Sequence, residues 1–187
     1  MSVPLPVLEQ AIRSGLEQDR AARPLSLVQD GSALHLRRAE PSDAREIHEL
    51  LEQFVAVGQL LPRTLEQIYR TIRDFVVAVE DGRIVGCAAL RIYSADTAEV
   101  GALAVMPAKQ GTGIGRRLVE ALVHDAELLR LRRVFALTLQ QEFFGRIGFA
   151  VGSIADFPEK VAADCAGCAR RAACREITVI RTLVSDA

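Results

Sequence analysis

The 187-residue chain has no tryptophan, two tyrosines, two methionines and three histidines. Proton transfer through an aromatic hydroxyl or an imidazole therefore has few candidates. No apolar run reaches the roughly 18 residues that a membrane-spanning helix needs. The opening MSVPLPVLEQ lacks a basic flank and a long apolar stretch, so no secretory signal is expected. An excess of one charge is also missing, with 23 Lys and Arg against 24 Asp and Glu and a formal net charge of -1. That balance gives no pull toward nucleic acid or an anionic membrane, and we expect neither as a partner. A soluble cytoplasmic protein is the expectation.

Cysteine is sparse, at four residues. Cys87 sits in the apolar run 84–90 and reads as a small core residue. The other three form Cys165-Ala166-Gly167-Cys168 with Cys174 five residues further on. A Cys-x-x-Cys head is half of a common zinc site, but the second pair is missing and no histidine lies nearby. Three readings stay open: free thiols, a redox-sensitive pair, or a structural zinc clip completed by Asp164. No catalytic metal is expected. His35, His48 and His124 show no ligand spacing, and His48 and His124 read as solvated helix positions.

What the chain does have is hydrophobicity, at 50% of residues, enough for a sizeable core. It has no internal repeat and no low-complexity tract. Residues 1–32 read as a helical appendage, with Val7, Leu8, Ala11, Ile12 and Leu16 on one stripe. Residues 33–187 read as one domain. It opens on a short strand at 34–37. Ser42-Asp43 offers a helix cap, with Asp43 and Glu46 at capping-box spacing before Ile47, Leu50, Leu51 and Phe54. A second helix is predicted after Thr64, with Gln67 at its third position. Runs 75–79 and 83–92 flank Glu80-Asp81-Gly82, a hairpin signal. A third strand over 99–105 ends at Pro107. A helix bearing Ile114, Leu118, Ala121 and Leu122 follows, then a strand at 134–139, a short helix at 142–146 closed by Gly148, and a last strand at 177–183. The order β-α-α-β-β-β-α-β-α-β predicts an α+β sandwich on a mixed, mostly antiparallel sheet.

The chemistry points to Gln110-Gly111-Thr112-Gly113-Ile114-Gly115-Arg116, between a strand and a helix. Glycine permits a tight turn and removes the Cβ that would obstruct a ligand. The first N–H groups of the following helix lack internal partners, and its dipole adds partial positive charge. Together these favour a phosphate. Arg116 and Arg117 add charge that can assist. Neither a P-loop nor a G-x-G-x-x-G fingerprint is matched, because the loop ends Gly-Arg-Arg and its glycines alternate.

In context, Leu103-Ala104-Val105-Met106-Pro107 followed by Gln110-Gly111-Thr112-Gly113-Ile114-Gly115 resembles the signature of the GCN5-related N-acetyltransferase superfamily. Phe143-Phe144-Gly145-Arg146-Ile147-Gly148-Phe149 resembles a second element of that family. The resemblance spans residues 34 to about 183. It implies acetyl-CoA as cosubstrate, with Leu103, Ala104 and Val105 on the thioester and pantetheine arm. Gln110, Gly111, Thr112, Gly113, Ile114, Gly115 and Arg116 would hold the pyrophosphate, and Phe144 would contact the cofactor. The family often places a tyrosine acid where this chain has Phe144. Thr138 is then a substitute hydroxyl, or an ordinary strand residue. Glu99 is the expected base for the amine proton, and Tyr93 is a further participant without local support.

Gly58-Gln59-Leu60-Leu61-Pro62-Arg63-Thr64, the strand 99–105 and Asp156-Phe157-Pro158-Glu159-Lys160 resemble the acetyltransferase part of the N-acetylglutamate synthase family, in its short form without a kinase domain. That implies L-glutamate as acceptor and arginine biosynthesis as the setting. Leu61, Arg63 and Arg175 would contact the substrate, with Lys160 a weaker candidate. Two carboxylates call for arginines that pair bidentately. A homodimer and inhibition by arginine are further expectations of the resemblance. Competing readings are acetyl transfer to another amine or peptide N-terminus, and a non-catalytic acetyl-CoA-binding regulatory module.

Overall fold

The computed structural model describes residues 34–183; the predicted appendage helix lies outside them. Seven strands form one sheet: β1 (His35–Arg38), β2 (Phe75–Glu80), β3 (Arg83–Ile92), β4 (Thr97–Val105), β5 (Arg133–Thr138), β6 (Ala150–Val151) and β7 (Ile177–Thr182). Their order is β1-β2-β3-β4-β5-β7-β6. Only β4 and β5 run parallel among the described strands; all other neighbours are antiparallel. The mixed, mostly antiparallel α+β sandwich expected from the sequence is the fold observed.

Strand β2 reads Phe75-Val76-Val77-Ala78-Val79, all buried, as a central strand covered on both faces should be. One face carries α1 (Ala44–Ala56) and α2 (Leu65–Arg70), whose Ile47, Leu50, Leu51, Phe54 and Ile68 pack with Phe75, Val77 and Cys87. Each such buried aliphatic or aromatic side chain stabilises the fold by about 1.5–3 kcal/mol. The other face carries α3 (Ile114–Leu128). It approaches β3 so closely that a Cβ on Gly86 would lie 3.1 Å from Ile114 and Leu118 and 3.2 Å from the Ala104 carbonyl.

The helix expected after Thr64 is present and opens with a Thr64–Gln67 capping box. Gln67 N–H donates to Thr64 Oγ1 at 3.2 Å and Thr64 N–H to Gln67 Oε1 at 2.8 Å. The capping box predicted at Asp43 and Glu46 is not. Asp43 instead accepts from Glu40 N–H at 2.7 Å and from the Arg37 guanidinium at 2.6 and 2.9 Å, while Glu46 reaches across to accept Ile84 N–H at 2.9 Å. Asp43 still opens α1, but its carboxylate serves the preceding turn and strand. Strand ends also shift by a residue or two, and β6 is an addition to the expected strands: at two residues, Ala150-Val151, it is too short to show an alternating pattern.

Between β6 and β7 the chain makes a long excursion, residues 152–176. Phe157 anchors it, fully buried and stacked on Phe135 of β5 at 3.9 Å between ring centroids. A helical turn at Pro158–Lys160 runs into a π-helical turn at Val161–Cys165. Further on, Arg170 donates to the Gly58 carbonyl at 3.1 Å, tying this strap to the turn just after α1.

Candidate active site

Strands β4 and β5 pair at Thr97–Arg133, Ala98–Val134 and Glu99–Phe135, and there the parallel ladder ends. Beyond Glu99 the two strands diverge. On its other side β4 stays paired, with Gly86 opposite Val105 and Met106 N–H donating to the Val85 carbonyl at 2.9 Å. Because N–H directions alternate along a strand, those of Val105 and Leu103 face the gap. A bulge makes this possible. Between the pairs Cys87–Ala104 and Ala89–Gly101, β4 has one residue more than β3, and Ala102 takes a left-handed φ of 49°. A non-glycine residue there stores roughly 1–3 kcal/mol of strain, a frequent mark of functional backbone.

The glycine loop follows at the mouth of the gap. Gln110 Nε2 donates to the Val105 carbonyl at 3.1 Å, satisfying the acceptor that would otherwise face the gap. Thr112 Oγ1 donates to the Lys109 carbonyl at 2.6 Å, and Lys109 pairs with Glu80. Gly111 and Gly113 have φ of 78° and 87°, and a Cβ on either would meet nothing within 4 Å. Their glycine requirement is therefore conformational. Gly113 caps α3, and among the described residues the N–H groups from Gly111 to Arg116 find no partner. A row of free donors beside a helix N-terminus and a gap of strand amides fits a phosphate-bearing thioester donor.

Arg116 is turned away along the helix to Glu120 at 2.7 Å. Phe144 is buried and packs edge-on against Phe143 and Phe149. Its neighbour Phe143, not singled out in the sequence, is the ring that faces the loop, 3.5 Å from where a Gly115 Cβ would stand. Two adjacent aromatics on a short helix point in different directions, and spacing alone does not say which faces the ligand.

Five polar side chains gather where β4 and β5 part. Glu99 Oε2 accepts from Lys160 Nζ at 2.8 Å and lies 3.0 Å from the Tyr93 hydroxyl oxygen. Asp164 accepts from Lys160 at 3.0 Å, from Arg91 at 2.8 and 2.9 Å, and from the Tyr93 hydroxyl in a very short contact. Two cations thus balance two carboxylates. Burial disfavours the Lys160 ammonium, but Glu99 and Asp164 outweigh it and hold its pKa above the ordinary lysine value. Burial likewise works against the Asp164 anion, yet Tyr93 and Lys160 bring its pKa below the usual carboxylate range. Tyr93 is raised, by burial first and then by Glu99, and stays protonated.

Part of this cluster was legible. The turn 93–96 pairs Arg91 directly opposite Glu99, and Lys160 and Asp164 stand four apart on a helical turn. The strap's return to the sheet was not, because it depends on the burial of Phe157.

Arg63 is partly buried, with no hydrogen bond or ion pair among the described residues. Burial raises the pKa values of both Asp74 and Cys87, and Arg63 lies near enough to each to oppose the rise, as Arg91 does at Asp74. Leu61 is exposed, as is Arg175, on the segment entering β7. Thr138 is buried, and its Oγ1 accepts Gln140 N–H at 2.8 Å. Burial pushes the Cys87 thiol up to about 12, so it is no nucleophile at neutral pH. The thiols of Cys165, Cys168 and Cys174 are free, and no metal-binding group is found among the described residues.

The Acetyltransferase (GNAT) family model matches residues 43–151, covering strand, gap and glycine loop, and the chain belongs to that family. Acetyl-CoA is accordingly its acetyl donor. The chain is 38% identical over 148 residues to an uncharacterized N-acetyltransferase of Chlorobaculum tepidum, covering 79% of this chain and 96% of that one. It is 40% identical over 117 residues to the amino-acid acetyltransferase of Mycobacterium tuberculosis, covering 61% and 67%. Among solved structures it is similar to N-acetylglutamate synthase from Neisseria gonorrhoeae complexed with coenzyme A and N-acetyl-glutamate. There the TM-score is 0.72 and the identity 29%, over 81% of this chain and 35% of that one.

Proposed function

We propose that this acetyltransferase acylates the α-amine of L-glutamate, giving N-acetylglutamate for arginine biosynthesis. The observation that carries the reading is Arg63, a partly buried guanidinium with no hydrogen bond or ion pair among the described residues. The cluster itself is charge-balanced, so it attracts no cationic substrate. A substrate with two carboxylates supplies the anions that Arg63 and the exposed Arg175 lack. Similarity to amino-acid acetyltransferases supports the same substrate class.

In this reading the loop amides hold the pyrophosphate, and the N–H groups of Leu103 and Val105 face the acyl oxygen and stabilise developing negative charge. Glu99 takes the proton of the attacking ammonium, which must be neutral to react. Phe144 has no proton to give the departing thiolate. Thr138 has: its oxygen accepts from Gln140, leaving its own O–H to donate.

The test is thiol release from acetyl-CoA against a panel of amino acids and amines. Glutamate should be turned over saturably. Arg63→Ala should raise its KM by about 10- to 100-fold, as loss of a charge-assisted pair worth roughly 1.5–3 kcal/mol requires. Turnover of a cationic amine in place of glutamate would overturn the assignment, and acetyl-CoA binding without turnover of any amine would make the chain a binding module.

A further inference from the structure

A buried base that accepts a proton in every turnover must also return it to water. The Glu99 side chain is only 11% exposed, and Lys160 covers it from the strap. The Tyr93 hydroxyl touches Glu99 Oε2 at 3.0 Å on one side and Asp164 Oδ2 on the other. Asp164 is the more open of the two carboxylates, with 28% of its side chain exposed.

Resting on the reading of Glu99 as base, we propose that Tyr93 and Asp164 form its proton exit. The amine proton passes to Glu99. The Glu99 carboxylic acid then donates to the Tyr93 oxygen while the Tyr93 hydroxyl gives its own proton to Asp164. Water removes that proton from Asp164. One proton enters and one leaves, Tyr93 ends as it began, and Glu99 is again a carboxylate.

The surroundings suit this path. Lys160 donates to Tyr93 as well, at 3.2 Å, and fixes the hydroxyl between the two carboxylates. Arg91 holds Asp164 in place. The charged groups facing Glu99 are Lys160 and Asp164 from the strap, Arg91 from β3 and Glu176 from the segment before β7. The low pKa of Asp164 keeps it anionic at rest and makes its protonated form short-lived. It passes the proton on and does not store it. Tyr93 touches no reacting atom, so it is a relay that acts through Glu99.

The experiment is Tyr93→Phe, which keeps the ring and removes only the hydroxyl. At low buffer concentration kcat should fall at least tenfold, with KM for acetyl-CoA unchanged. Imidazole should restore kcat saturably in the variant and leave the wild type unaffected, because a small acid–base can replace a missing shuttle but not a missing packing contact. Asp164→Asn, measured alongside, should show the same buffer-dependent recovery. Wild-type kcat in Tyr93→Phe, or a loss that imidazole does not lift, overturns the relay. Glu99→Gln reports on the base separately. If that variant keeps wild-type kcat and pH profile, the base assignment fails whatever Tyr93→Phe shows.

Discussion

Single residues at this site act through different kinds of cost. Gly113 and Gly86 illustrate the contrast. Gly113 has a left-handed φ of 87° and open space around it, whereas Gly86 is crowded by α3. A side chain at Gly113 costs about 1–2 kcal/mol of backbone strain and displaces no neighbour. Gly113→Ala should therefore fold, raise KM for acetyl-CoA about tenfold and leave KM for the amine nearly unchanged, as separate titrations of the two substrates would show. At Gly86 the same methyl group pushes on Ile114 and Leu118, the first turns of the helix whose N-terminus offers the free amides. One added carbon there disturbs packing and donor site together.

Elements were legible in proportion to how locally their signals are written. The Thr64–Gln67 helix start, the Asp81-Gly82 turn and the alternating glycines each specify a backbone shape within four residues, and each was found where expected. Asp43 followed by Glu46 has the same local look and a different outcome, because Arg37 and Ile84, distant in sequence, compete for those carboxylates. The proposed donor half of the site is written locally for the same reason: it is a strand end and a helix start. The acceptor half combines a strand pair with a strap some sixty residues later, and only tertiary packing brings Lys160 to Glu99. Asp43 also makes a pH prediction. Its hydrogen bonds from Arg37, outweighing burial, hold its folded pKa below the ordinary value. The stability it contributes is complete above the unfolded pKa near 3.9 and is lost as pH falls through the lower folded value. Denaturant midpoints should thus drop more steeply below about pH 4 in the wild type than in Asp43→Asn.

For the described molecule as a whole, the three-residue parallel seam matters most. It divides the sheet into an antiparallel block β1–β4 and a second block β5, β7, β6. Links across that division include the Asp96 carbonyl accepting from Arg132 and Arg133 N–H, α3, which packs on strands of both blocks, and the strap, fixed by Phe157 on one side and by Lys160 and Arg170 on the other. Whatever fills the gap touches both blocks. A donor bound there at a hundred times its Kd should stabilise the fold by about 2.7 kcal/mol, seen as a rise in Tm with coenzyme A. Hydrogen exchange at Leu103 and Val105 should slow by more than at Val77 or Ala88, which are already paired. The gap gives the sheet the mechanics of a split beam: stiff within each half and weakest along the cut. With the donor seated as proposed, turnover carries a mechanical rhythm, a brace going in with each donor and coming out with each spent carrier.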